Sequence, residues 1–213
     1  MSCGDITIPR LTARGDVGCA HRYALGMARW EPGSRERLQV AALDLFGEQG
    51  FENTTVAEIA ARVGVTKRTF FRHFVDKREV LFAGAEDLNT LLVEGIVQAP
   101  SELAPLEAIA TALAAVDWHA MAPRAVLRRR QAVIVASPDL MERELIKFDA
   151  LTEAFADGLR RRRIDDSAAK LAAQAGITVF RTAYERWIDA DNGKDMAQIV
   201  GAVLAELRAA VAA

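Results

Sequence analysis

The sequence predicts an all-α protein, and three observations carry that expectation. Apolar residues recur at helical spacing from Ser34 onward, Pro100, Pro105, Pro123 and Pro138 fall where helices begin, and no segment alternates apolar with polar residues as a half-buried strand would. The 213 residues are 51% hydrophobic and 26% charged with only six prolines, a composition that supports an ordered core. That length allows one large domain or two modest ones.

Residues 1–26 have no helical period and mix Gly, Thr, Pro and Arg, so residues 1–28 are expected to be a flexible N-terminal extension, or a translation artefact with Met27 as the true start. Both cysteines, Cys3 and Cys19, lie in it, away from any predicted core, and no structural disulfide is expected. Leu38, Ala41, Ala42, Leu45 and Phe46 mark the first helix, which Gly50 stops. The run "TVAE" at 55–58 has the form of a capping box, with Thr55 as N-cap and Glu58 reaching back, and opens a short second helix that ends near Gly64. Thr66 caps a third helix through about Phe74, and Asp76 with Glu79 opens a long fourth that runs to about Val97. Further helices are expected at roughly 105–121, 123–136, 138–163, 166–190 and 195–212. The last two carry small-residue faces, "AAKLAAQAGITVF" and "IVGAVLAELRAAV", suited to close packing either within one subunit or against a second copy.

Several classes are excluded. No apolar run approaches the ~20 residues that cross a bilayer, and the N-terminus lacks a basic head followed by an apolar stretch, so a cytoplasmic protein is expected. His21, His73 and His119 are scattered and match neither metal-ligand spacing nor a nucleophile triad. No metal, cofactor or catalytic residue is expected.

Charge is unevenly placed. The net value is −2, yet residues 62–78 hold Arg62, Lys67, Arg68, Arg72, Lys77 and Arg78 against Asp76 alone, while residues 83–213 carry 15 basic and 19 acidic side chains. An anion-seeking patch on an acidic body follows. On a helical wheel Phe70, Phe71 and Phe74 share one arc, which is expected to be buried, while Arg68, Thr69, Arg72 and His73 fall on the other half. A short helix held by aromatics, with donors outward, suits a DNA major groove, where Arg and Lys donate to guanine O6 and N7 and Thr meets a thymine methyl.

Residues 35–81, "RERLQVAALDLFGEQGFENTTVAEIAARVGVTKRTFFRHFVDKREVL", resemble the DNA-binding domain of TetR-family transcriptional regulators. The likeness includes the Gly50–Phe51 turn, the Thr-Thr entry, the "VGVTKRTFF" turn and the "F-x-D-K" exit, over about a quarter of the chain. It implies an N-terminal helix-turn-helix domain of three helices (29–80), joined by a long fourth helix to a larger helical domain for effector binding and dimerisation (81–213). It further implies a homodimeric repressor of a double-stranded DNA operator, controlled by a small molecule. Carried onto this chain, Thr55 would meet a phosphate, Thr66, Lys67, Arg68, Thr69, Arg72 and His73 would lie at the groove or its walls, and Lys77 would clamp a phosphate. Phe71 stands where the family often has Tyr, so a contact through a phenolic hydroxyl is absent.

In the second domain the aromatic residues Trp118, Phe148, Phe155, Phe180, Tyr184 and Trp187 are the candidate lining of an apolar effector pocket, with ordinary core as the competing reading. Arg128, Arg129 and Arg130 fan over about 200° of one helix and are expected mainly in surface ion pairs, one of them being available to an effector carboxylate. Two rival functions remain at this point: a DNA-binding regulator controlled by a protein partner, and a helical enzyme or small-molecule carrier whose basic helix binds an anionic substrate.

Overall fold

Leu38, Ala41, Ala42, Leu45 and Phe46 fall on the buried face of α1 (Ser34–Gln49), which stops at Gly50, where a φ of 85° suits a residue without a Cβ. Phe51 then turns back, its ring edge-on to Phe46 with centroids 5.2 Å apart. The computed structural model describes residues 33–190 and 193–212; the expectations for residues 1–28, Cys3, Cys19, His21 and Met27 lie outside the described residues. Helix α2 (Val56–Arg62) opens with the expected capping box, the Thr55 hydroxyl accepting from the Glu58 amide and the Glu58 carboxylate accepting from the Thr55 amide at 2.8 Å. Helix α3 (Lys67–His73) is capped by the Thr66 hydroxyl, which accepts from the Thr69 amide.

Three expectations need correction. Phe71 is not buried with Phe70 and Phe74 but 54% exposed. Neighbouring helical residues stand about 100° apart, and a seven-residue helix lying across two others buries a narrower arc than that. The fourth helix does not run unbroken from Asp76. The Asp76 carboxylate does accept from the Glu79 amide at 3.0 Å, but it opens only a 3₁₀ turn (Arg78–Leu81). Val80, Leu81 and Phe82 then enter the core, and Gly84, at φ 90°, redirects the chain into α4 (Ala85–Gln98). The helix expected at 105–121 is two helices, α5 (Pro105–Ala115) and α6 (Trp118–Met121). Val116 is extended, Asp117 caps α6, and the Trp118 indole donates to the Leu113 carbonyl at 2.8 Å, folding the short helix back onto the end of α5.

The chain continues through α7 (Arg124–Val135), α8 (Pro138–Arg161), α9 (Asp166–Asp189) and α10 (Met196–Ala212), near the expected bounds, with no strand among the described residues. Two hydrophobic clusters result. One joins α4, α5, α8, α9 and α10 around Leu92, Ile109, Phe155, Phe180 and Trp187. The other holds α1, α2, α3 and the 3₁₀ turn around Leu38, Phe46, Ile59, Phe70 and Val80, and it also includes Val133, Ile134 and Leu140 from α7 and α8. The helix-turn-helix core is therefore completed by residues about 60 positions downstream of Phe74.

The arginines of α7 reinforce that junction: they form the expected ion pairs, Arg128 with Asp189 at 3.4 Å, Arg129 with Asp44 and Arg130 with Glu144 at 3.9 Å, and they add bonds to distant backbone carbonyls. Arg128 donates to the Ile188 carbonyl at 3.0 and 2.7 Å, Arg129 to the Leu43 carbonyl at 3.1 Å, and Arg130 to the Leu81 carbonyl at 2.7 Å. The Arg129–Asp44 pair is 2.7 Å long, and Gly47, in the last turn of α1, leaves the guanidinium room to approach the helix. From α8, Arg143 reaches Asp76 at 2.8 Å and Glu79 at 3.2 Å, and Lys147 reaches Glu79 at 3.0 Å.

Burial opposes ionisation of Asp76, but the Glu79 amide, Arg143 and Arg78 outweigh it and hold its carboxyl below the usual range. A depressed folded-state value means that the stabilisation is complete above the unfolded carboxyl's ordinary value of about 3.9 and is lost as pH falls through the folded value. The stability difference between the native chain and Asp76→Asn, measured by urea unfolding, is therefore expected to be constant near neutrality and to shrink below about pH 4. A difference unchanged down to pH 3 would contradict this role for Asp76.

Candidate nucleic-acid interface and cavity

The basic run divides into committed and uncommitted cations. Arg62 pairs with Glu48 at 2.9 Å and Arg78 with Asp76 at 3.3 Å. Lys77 departs from the phosphate-clamping role expected of it: its ammonium turns inward, donating to the Phe51 and Thr54 carbonyls at 2.7 and 2.9 Å and lying 3.9 Å from the centre of the Phe51 ring. It ties down the α1–α2 turn, and it precedes a 3₁₀ turn, not an α-helical N-terminus. Lys67, Arg68 and Arg72 are exposed and have no ion pair among the described residues. They project from α3 together with the exposed ring of Phe71.

The remaining candidates at this face are more constrained. Thr66 is exposed, Thr69 is half-buried, and their hydroxyls are 3.1 Å apart. Thr55 is exposed, but its hydroxyl donates to Glu58 at 2.7 Å, and those hydrogen bonds hold the Glu58 carboxyl below its ordinary value. His73 is half-buried with Nε2 2.8 Å from the Ser34 hydroxyl, which fixes it at the α1–α3 contact. Three flexible cations thus stand on a helix whose other contacts are all internal.

A cavity of about 320 Å³ lies between α1, the 3₁₀ turn, α4, α6, α7, α8 and α9. Trp118, Phe148, Phe180 and Tyr184 line it, as the sequence suggested, and form a continuous ring-to-ring set with centroids 5.6 to 6.3 Å apart. Phe155 and Trp187 do not line it. Both are 0% exposed, Phe155 within the larger cluster and Trp187 behind Trp118, with Arg124 4.8 Å from its ring centre.

Sequence reasoning missed the other walls. Val40 and Leu43 of α1, the run Val80–Ala85, and the charged residues Arg130, Glu144 and Lys147 all face the cavity. The only sequence signal for these was the consecutive arginines, since the wall from α1 arises from long-range packing. Burial raises the Tyr184 hydroxyl above its ordinary value while the nearby Arg130 guanidinium works against that, so the phenol stays protonated at neutral pH.

Comparison with known proteins agrees with this geometry. Residues 38–83 match the model for bacterial regulatory proteins of the tetR family, and residues 103–212, about half of the chain, match the model for the MftR C-terminal domain. The chain belongs to the TetR family of transcriptional regulators. Among TetR-family relatives it is 40% identical over 83 residues to the regulator TcmR of Streptomyces glaucescens, a match spanning 39% of this chain and 37% of TcmR. It is 26% identical over 167 residues to MftR of Mycobacterium tuberculosis, named for regulation of mycofactocin biosynthesis, spanning 76% of this chain and 82% of that one. The fold is shared with the triclosan complex of SmeT, the repressor of a Stenotrophomonas maltophilia multidrug efflux pump, at a TM-score of 0.54 and 21% identity over 81% of this chain and 90% of SmeT.

The two kinds of cation in this TetR-family helix-turn-helix should separate in a stability measurement. Arg68→Ala and Arg72→Ala are expected to change unfolding free energy by less than about 0.5 kcal/mol, as at other free surface positions. Lys77→Met strands two carbonyls and is expected to cost about 1–3 kcal/mol. Equal effects of all three on urea unfolding would contradict the assignment.

Proposed function

We propose that this chain is a homodimeric transcriptional repressor that reads an inverted-repeat operator through α3 and is released by a small hydrophobic or aromatic effector in the cavity. It acts on DNA in the cytoplasm as a regulator and not as an enzyme. Residues 29–80 serve as reader and 81–213 as sensor and dimerisation unit. Lys67, Arg68, Thr69 and Arg72 face the operator, and Thr55 and Thr66 border it. Trp118, Phe148, Phe180 and Tyr184 receive the effector. A two-fold dimer presents two copies of α3 to one face of the duplex, which is why the operator should be palindromic.

The observation that carries this reading is the shared wall: Val40, Leu43 and the run Val80–Ala85 belong to the units that hold α3, yet they face the cavity. A ligand that touches those residues has different contacts in different placements of α3, and only such a difference in affinity shifts an equilibrium. By linkage, operator DNA weakens effector binding by the factor by which effector weakens operator binding.

Selection from a random duplex library, followed by fluorescence anisotropy across salt concentrations, tests the DNA half. An inverted repeat should emerge, with log affinity falling linearly in log salt as counterions are released. Arg68→Ala or Arg72→Ala should cost about 1–3 kcal/mol at particular base pairs if its contact is bidentate. Binding independent of salt, or unchanged base preference in both variants, would overturn the assignment of α3.

A further inference from the structure

The cavity is apolar along most of its wall but has one charged end. There, Arg130 and Glu144 lie near the Tyr184 hydroxyl and Lys147 also lines the cavity, so its lining carries two cations against one carboxylate. All three charged side chains are well shielded, at 22%, 24% and 16% exposed. Each has a different amount of bonding capacity left. Glu144 accepts from Gln131 at 3.2 Å through one oxygen, and its other oxygen stands 3.9 Å from Arg130. Arg130 uses Nε for the Leu81 carbonyl, while its Nη1 approaches Glu144 only at 3.9 Å. Lys147 pairs with Glu79, but Glu79 keeps Arg143 at 3.2 Å if the lysine turns away. Within the lining itself, then, two cationic donors, Arg130 and Lys147, stand against the single carboxylate of Glu144.

We propose that the cavity's ligand is a compact aromatic carboxylate, its ring lying among Trp118, Phe148, Phe180 and Tyr184 and its carboxylate received by Arg130 and Lys147. This rests on the reading of the cavity as an effector site and names the chemical class that site selects. The volume of about 320 Å³ is at the small end of ligand pockets and suits one or two fused rings. The Trp118 indole N–H is already donated to the Leu113 carbonyl, so that residue offers the ligand a face and no hydrogen bond. A carboxylate at this end also draws on the two cations that hold the segment after α3, since Arg130 bonds Leu81 and Lys147 bonds Glu79. Head-group capture and slackening of the 3₁₀ turn are then one event.

Titration calorimetry on the full chain tests this with matched probes: 2-naphthoate, 2-naphthamide and 2-naphthylmethylamine, and cinnamate, cinnamamide and cinnamylamine. Within each set the acid should bind at least about tenfold more tightly than the amide and the amine, as expected for a charge-assisted, shielded head group. Lys147→Met, whose loss leaves Glu79 paired with Arg143, should reduce that preference to less than about threefold, the acid losing more affinity than the amide. Arg130→Lys, which keeps the charge but loses the planar fork, should reduce it by an intermediate amount. Amide or amine binding as tightly as the acid would overturn the carboxylate assignment and leave the effector cavity standing. Failure of every probe to bind would overturn the cavity reading and this inference with it.

Discussion

The helix-turn-helix unit of this protein is finished by a helix that belongs elsewhere in the chain. Val133 and Ile134 of α7 lie in the same cluster as Phe46, Ile59 and Phe70, and Arg129 and Arg130 of that helix hold the Leu43 and Leu81 carbonyls. Without those contacts three short helices would bury a small core, and units of that size are only marginally stable alone. Arg128, one position earlier, holds the Ile188 carbonyl at the end of α9. A single turn of α7 thus touches the first helix, the segment after the recognition helix and the distant end of the larger bundle. Backbone carbonyls as partners matter here, because they fix segments in place whatever side chains those segments carry.

That brace puts the cavity where it can act. The same α7 turn that grips Leu81 lines the cavity with Arg130, and the residues it grips form the opposite wall. Packed interiors shift between discrete arrangements more readily than they deform, so under the proposed function a ligand that wedges or relaxes this wall would move α3 as a unit. Lys77 fits the same logic. Its inward bonds keep the α1–α2 turn rigid, so that motion at the 3₁₀ turn carries the whole unit along.

How much of this was legible beforehand follows from the range of the forces involved. Caps and turns are local, and Thr55–Glu58, Thr66 and Gly50 do what their spacing indicates, while Asp76–Glu79 forms its bond but opens only a 3₁₀ turn. The aromatic set was half legible: a wheel or a count of rings places Trp118, Phe148, Phe180 and Tyr184 in the second unit, but only packing decides that Phe155 and Trp187 sit behind them. Phe71 was misread because three aromatics within one helix suggest a shared buried face, whereas the exposed arc of so short a helix is wide. Lys77 was misread, and the carbonyl bonds of the three arginines of α7 were missed beside their ion pairs, for one common reason. A sequence displays a cation's charge but not the carbonyl, many residues away, that satisfies it.

The contacts of α7 imply that the helix-turn-helix unit and α7 open as one cooperative body. Native-state hydrogen exchange measures this directly, because segments that open together share one opening free energy. Amides of α1, α2, α3 and α7 are predicted to exchange with a common free energy and a common denaturant dependence. Opening of residues 34–82 at a distinctly lower free energy, with α7 still protected, would contradict the claim.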